Sequence, residues 1–392
     1  MKFPANEALK AALQKREVQQ NRRKLSLAQD KALDFCSNDY LGFAQSQSIE
    51  QAIRSLRKAP TGQIGGTGSR LISGHSPQIA ALEQQIAQIH RGEAALLFNS
   101  GYTANLGLLA CIATRHDTIL YDELVHASIR DGIRLSPARS FSFRHNQLDA
   151  LQQKLQHAQG QVFIMVESVY SMDGDEAPLS ALVELAKREG CQLIVDEAHA
   201  LGVSGRYGTV QRLGLEKEVF ARVFTFGKAL GAHGATIVGS QLLIDYLVNF
   251  CRPFIYTTAP PPYQIDHISA AYKALIDTPA VDLLQSRIQY FRQNIPAPLK
   301  PYFLPSQTAI QSFLWPSNEA LRALSDHLLD QGIWVKAILH PTVPKGRERL
   351  RISLHANHPL SAIERLIHNI AQWTSDQQIN PTIANNGTWT LA

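Results

Sequence analysis

Between residues 94 and 240, short apolar runs alternate with amphipathic helix patterns, and this alternation constrains the fold more than any other feature of the sequence. The runs are AALLF (Ala94–Phe98), TILYD (Thr118–Asp122), SFSF (Ser140–Phe143), VFIMVES (Val162–Ser168), QLIVDEA (Gln192–Ala198), RVFTF (Arg222–Phe226) and ATIVGS (Ala235–Ser240). Most are apolar without a polar face, as strands buried on both sides are. Helix patterns such as Pro77–His90 and Leu179–Arg188 accompany them, and Ser76 followed by Pro77 makes an N-cap and first-turn pair. The pattern predicts an α/β fold with a largely parallel sheet covered on both faces.

The chain has 392 residues, of which 45% are hydrophobic and 18% charged, enough for two or three ordinary domains. A helical stretch from about Leu242 to Ile295, interrupted at RPF and APPP, is followed by a change of texture. AIQSFLW, IWVKAIL and RLRISL read as short strands separated by the helix pattern NEALRALSDHLLDQG and closed by PLSAIERLIHNIAQW. The expected organisation is an N-terminal helix and short strand segment (1–45), a large domain (46–285), a small α/β C-terminal domain (286–375) and a loose polar tail (376–392).

Lys+Arg exceed Asp+Glu by 38 − 33 = 5, without the clustered basic runs of a nucleic-acid-binding tail, so small anions are better partners than DNA. The four cysteines are scattered, form no CxxC pair and carry no metal-ligand spacing. They read as reduced core cysteines, and a cytoplasmic protein is expected. No segment approaches the apolar length that a membrane-spanning helix needs, and the N-terminus lacks the apolar stretch of an export signal.

In α/β proteins ligands bind beyond the carboxyl ends of parallel strands. The residues there are chemically pointed. Asn99, Ser100, Gly101 and Tyr102 follow one run and open a helix pattern, so their free N–H groups suit a phosphate. Asp196 and His199 follow another, Glu167 and Ser171 a third, and Thr225 and Lys228 a fourth, while His126 lies in YDELVHASIRDG. Gly227, Gly231 and Gly234 around Lys228 make room for a close approach to the backbone. A lysine to bind the aldehyde, a carboxylate to keep a pyridine nitrogen protonated, and hydroxyls and amides for a phosphate together match pyridoxal 5′-phosphate (PLP).

Other motifs fail on a residue. GGTGSRL has Leu71 where a dinucleotide fingerprint needs glycine, GKA lacks the hydroxyl residue of a P-loop, and GHSPQ lacks the closing glycine of a nucleophile elbow.

TFGKALGAHGA, VDEAHALGVSGRYG, SNDYLGF, GGTGSRLISGHS, ESVYSMDGD and HPTVPKGRERLRISL together resemble the α-oxoamine synthases, from about Leu9 to Trp373. These are fold-type-I PLP-dependent transferases that join an amino acid to an acyl thioester with release of CO2. The resemblance implies that Lys228 carries PLP, Asp196 pairs with its ring nitrogen, His199 bonds its phenolic oxygen and His126 stacks on the ring. It also implies cofactor contacts at Gly101, Tyr102, Ser171 and Thr225, with Lys228, His126 and Asp196 as the catalytic set.

For substrate, the resemblance points to Arg23 and Thr342 beside the acyl chain, Arg351 on the amino-acid carboxylate, and Asn38 close by. Arg22 competes with Arg23 for its role after a one-residue shift. Glu197 stands where the family often has aspartate, a change expected to be harmless. TFGK and PTVP favour the branch that uses L-alanine and a pimeloyl thioester, carried on CoA or an acyl carrier protein. They favour it over the glycine-using branches that make 2-amino-3-ketobutyrate or 5-aminolevulinate. A homodimer is implied, with GGTGSR or IYTTAPPP reaching toward the neighbour's cofactor.

Overall fold

The computed structural model describes residues 4–19, 21–25, 27, 29, 32–56 and 64–377, together with the backbone of 381–383 and 389–391. The chain opens with α1 (Pro4–Val18), β1 (Leu33–Asp34), α2 (Gln47–Leu56) and α3 (Pro77–Ile89). Strands and helices then alternate through β2 (Ala94–Phe98), α4 (Gly101–Ile112), β3 (Thr118–Asp122), α5 (Ala127–Leu135), β4 (Arg139–Phe143) and α6 (Leu148–Leu155). The alternation continues with β5 (Val162–Glu167), α7 (Leu179–Glu189), β6 (Gln192–Asp196), α8 (Thr209–Arg212), β7 (Ala221–Thr225) and β8 (Ala235–Gly239).

These seven long strands form one sheet in the order β2-β8-β7-β6-β5-β3-β4. β8 runs antiparallel to both its neighbours, and the pairings from β7 to β4 are parallel. Every residue of β2 is buried, as are all but the first of β5 and β6, which explains why the sequence shows unbroken apolar runs. Four of the seven, β5 to β8, stop one or two residues short of those runs. Asp196 ends β6 because its carboxylate takes the Ala198 N–H at 2.8 Å, turning the chain out of the sheet and over its carboxyl edge.

Helices α9 (Gln241–Phe250), α10 (Arg252–Ile255), α11 (Pro262–Asp277) and α12 (Ala280–Asn294) follow. The breaks at RPF and APPP occur as expected. A third, at Pro279, was not expected from the sequence; proline disfavours the helical conformation of Thr278 before it. Then come β9 (Ile310–Leu314), α13 (Asn318–Asp330), β10 (Ile333–Trp334), β11 (Lys336–Ile338), β12 (Arg349–Ser353) and α14 (Leu360–Asp376).

Strands β11-β12-β9 make an antiparallel sheet, and β10 pairs with β1, tying the N-terminal segment to the C-terminal one. Leu350, Ile352 and Ile363 of the C-terminal segment share one apolar cluster with Ile268, Ile288 and Phe291 of the preceding helices, with Phe224 of β7 and with Phe226 just after it. In the tail, β13 (Pro381–Ile383) and β14 (Trp389–Leu391) pair antiparallel where a loose segment was expected. Among the described residues no helix is long and apolar enough to cross a membrane, and no group of three or more potential metal ligands occurs.

Candidate active site

Loops leaving β2, β3, β5, β6 and β7 converge on a cavity of about 250 Å³. Lys228 sits in the turn between β7 and β8, where Phe226 N bonds Gly234 O at 2.9 Å, Ala232 N bonds Phe226 O at 2.8 Å, and Gly231 N bonds Lys228 O at 2.8 Å. The turn requires φ = 59° at Gly231, and a Cβ there would lie 2.2 Å from Ala44 N. Lys228 is thereby held inside the protein, and burial pushes its amine down to about 8 although Asp196 and Glu167 pull the other way.

Opposite it, Asp196 Oδ1 accepts from Ala198 N at 2.8 Å and Oδ2 from Asn105 Nδ2 at 2.7 Å. Both partners are donors only, so they fix the group as an acceptor. Its neighbour across the ladder is Glu167, which burial and the charge of Asp196 push up to about 8. Glu167 Oε1 accepts the His126 N–H at 2.6 Å and so fixes the start of α5, of which His126 is the N-cap. His126 Nδ1 lies 2.8 Å from Ser128 Oγ, and burial lowers the basicity of its ring. His199 is buried, is held by Tyr40 OH at 2.7 Å from Nδ1, and is pushed well below the ordinary histidine range by burial and then by Lys228 and Arg351.

Ser100 caps α4, exchanging bonds with Thr103, which leaves the N–H groups of Gly101 and Tyr102 at the helix start free of intrahelical partners. Glycine is required at 101 because a Cβ would stand 2.2 Å from Thr225 Cγ2. Thr225 Oγ1 is itself buried with no hydrogen-bond partner. An orphaned hydroxyl beside free helix N–H groups, with a buried amine and a doubly anchored carboxylate lining the same cavity, fits the phosphate, the aldehyde and the ring nitrogen of PLP.

A second cavity of about 950 Å³ begins at His126, which lines both, and extends to Arg23 and Thr342. Arg23 Nη2 bonds Thr342 Oγ1 at 3.1 Å, whereas Arg22 pairs with Glu17 at 2.7 Å and lines neither of these two cavities. Ser171 lines this larger cavity rather than the one around Lys228, and its carbonyl accepts from Arg351 Nε at 2.7 Å. Arg351 also bonds Ser353 Oγ at 2.9 Å and Asn38 Oδ1 at 3.0 Å, and reaches Tyr40 OH at 3.4 Å. Strand β12 of the small sheet thus delivers a guanidinium to the edge of the Lys228 cavity, which Asn38 lines. Tyr102 also lines that cavity, with its hydroxyl bonded to Asp131 and its ring 6.3 Å from that of His126.

Sequence reasoning assigned no role to Asn105, Ser128 or Tyr40, and left Glu167 as a strand-end carboxylate. Asn105 stands mid-helix, where a polar residue in an otherwise apolar stretch (ANLGLLACI) was the available signal. Glu197 points away from the cavity, its oxygens accepting Thr209 N at 2.7 Å and Val210 N at 2.8 Å, so its extra length serves the β6–α8 turn. GGTGSR and IYTTAPPP join each other through the Ser69–Thr258 bridge and the Ala259 N to Gly68 O bond at 2.9 Å.

Residues 30–370 match the family described as aminotransferase class I and II, and the chain belongs to that family of fold-type-I, PLP-dependent enzymes. Among its relatives are the 8-amino-7-oxononanoate synthases of Emericella nidulans, 38% identical over 94% of this chain and 95% of the relative, and of Marinobacter nauticus, 40% identical over 87% and 86%. A solved 8-amino-7-oxononanoate synthase from Francisella tularensis is 30% identical with a TM-score of 0.75, covering 89% of this chain and 99% of that one. The serine palmitoyltransferase of S. paucimobilis, solved with PLP and myriocin bound, is 25% identical with a TM-score of 0.85, covering 96% and 99%. The chain is an acyl-transferring PLP enzyme similar to the 8-amino-7-oxononanoate synthases.

Proposed function

We propose that this enzyme condenses L-alanine with a pimeloyl thioester, releasing CO2 and free thiol, to form 8-amino-7-oxononanoate for the biotin rings. The observation that carries the reading is His126 lining both cavities, the one that holds Lys228 and Asp196 and the one that ends at Arg23 and Thr342. One cavity suits an amino acid on PLP, and the other suits an acyl chain whose far carboxylate needs a cation.

In this reading Lys228 Nζ carries PLP, Asp196 holds a proton on the ring nitrogen, His199 faces the phenolic oxygen and His126 covers the ring. Gly101, Tyr102 and Thr225 meet the phosphate side. Ser171 is assigned to the cofactor through its backbone bond to Glu167 and its place beside His126. PLP supplies the electron sink for breaking bonds at the amino acid's α-carbon. The freed amine of Lys228, already shifted toward neutrality by burial, takes the α-proton and later returns one to the product.

Arg351 keeps a second N–H on Nη1, and its 3.4 Å contact with Tyr40 is long enough to yield to a substrate carboxylate. Asn38 steadies that guanidinium from within the cavity wall. Arg23 and Thr342 receive the pimeloyl carboxylate. The active unit is a homodimer, a reading that rests on likeness to the family, with CoA or an acyl carrier protein as the thiol.

The test is to mix holoprotein with L-alanine and pimeloyl-CoA and follow thiol and CO2 release, comparing kcat/KM with that for glycine paired with acetyl- or succinyl-CoA. The α-methyl group alone is worth about 1–3 kcal/mol of discrimination, so some reaction with glycine is expected. Preference for a glycine pair would place the chain in a sister branch and remove the role given to Arg23. Borohydride reduction should fix the cofactor on Lys228, and a label on another lysine would overturn the site.

A further inference from the structure

Beyond the Arg23–Thr342 contact lies a third cavity, of about 490 Å³, that the proposed reaction does not use. It meets the acyl cavity at Arg23, His340, Pro341 and Thr342, which line both. Among the described residues, its other charged walls are Arg22, Lys24, Arg322 and Lys336 against a single acid, Asp326. Arg22 is neutralised by Glu17. Among the described residues, the side chains of Lys24, Arg322 and Lys336 make no hydrogen bond or ion pair.

Arg322 is the informative one. It lies half-buried on α13, four residues before Asp326, yet makes no ion pair with it. A guanidinium partly withdrawn from water without a counter-ion is unfavourable until an anion reaches it. Lys336 begins β11, the edge strand of the small sheet, and adds a second unpaired cation to the same wall. Arg23, the shared wall, is exposed and held by a single hydrogen bond, so it is the part free to move.

We propose that this cavity is a second carboxylate station, receiving the far end of dicarboxylyl thioesters longer than pimeloyl. The proposal rests on the reading of Arg23 and Thr342 as the end-point of the pimeloyl chain. A chain two methylenes longer would displace Arg23 and set its carboxylate between Arg322 and Lys336. The acyl site would then grade chain lengths by a series of cations in place of a closed end.

The experiment compares the holoenzyme with an Arg322→Gln, Lys336→Gln double variant, using pimeloyl-CoA and azelaoyl-CoA with L-alanine. For pimeloyl-CoA, kcat/KM should agree within about twofold. For azelaoyl-CoA it should fall about tenfold in the variant, through KM, the size expected on losing two partly exposed charge-assisted contacts. No azelaoyl-CoA turnover by the parent, or an equal loss for both thioesters, would overturn the proposal, as would no loss for azelaoyl-CoA.

Calorimetry with free azelate keeps this question separate from the reaction. Azelate binding by the parent that weakens in the double variant supports the station. Binding equal in both proteins, or absent from both, refutes it. Should pimeloyl-CoA prove not to be a substrate, the functional reading fails and azelate binding alone decides the station.

Discussion

Lys228 is the residue whose environment makes the sharpest statement. Burial holds its amine at about 8, so the neutral form needed to attack an aldehyde becomes abundant above that pH. Removing PLP and adding it back at a series of pH values should therefore give a recombination rate that rises through about pH 8 and then levels. A rise centred near the ordinary lysine value would mean that the amine is not desolvated. Asn105 makes a second prediction. Its 2.7 Å bond to Asp196 Oδ2 is one of two donors fixing that carboxylate. Asn105→Ala should lower kcat about ten- to a hundredfold, the equivalent of roughly 1.5–3 kcal/mol for a lost bond to a charged group, while KM for the acyl thioester stays near that of the parent. A uniform loss in kcat and stability instead would make Asn105 a packing residue.

At the scale of elements, the large sheet was legible because its strands are buried on both faces and read as unbroken apolar runs, and the ends of the runs that form β2, β5, β6 and β7 marked residues of the Lys228 cavity. The break at Pro279 was hidden by the helical texture on either side, although proline was the visible clue. Contacts between elements were legible only where the family resemblance implied them, as for Arg23 with Thr342 and Arg351 with Asn38. His145, just past β4, lies 3.0 Å from Asp122 at the end of β3 and 2.7 Å from Asp175 in the loop after β5. Nothing in the spacing of those three residues announces this clasp. Burial works against the charged imidazole, but its bonds to the two carboxylates prevail and push it up to about 10. A raised value means that the stabilisation is complete below the unfolded value of about 6.5 and is lost as pH rises through about 10. His145→Gln should therefore lower Tm most at neutral and mildly acidic pH, and the difference from the parent should close toward pH 10. A difference independent of pH would show that the clasp does not depend on charge.

For the whole molecule, composition suggested a small α/β C-terminal domain, and the apolar side chains of that segment join one cluster with those of α11 and α12, a contact that sequence texture cannot reveal. The same holds for what the monomer leaves uncovered. Ile64, Leu71, Ile72 and Tyr256 are 84%, 50%, 85% and 72% exposed. The Ser69–Thr258 bridge ties their two segments together, and Asn99 Nδ2 holds Thr257 Oγ1 at 3.0 Å, so this apolar surface borders the loop where Ser100, Gly101 and Tyr102 line the cavity. Large side chains gathered so near a site are expected to be covered in the working assembly. Sedimentation equilibrium of the parent should give twice 43.4 kDa. An Ile72→Glu, Tyr256→Glu variant should sediment as a monomer and release PLP on gel filtration, because charge placed at the centre of an apolar contact opposes association. A monomeric parent would refute the expectation outright. A monomeric variant that keeps both cofactor and turnover would show that the surface pairs two copies without completing either site.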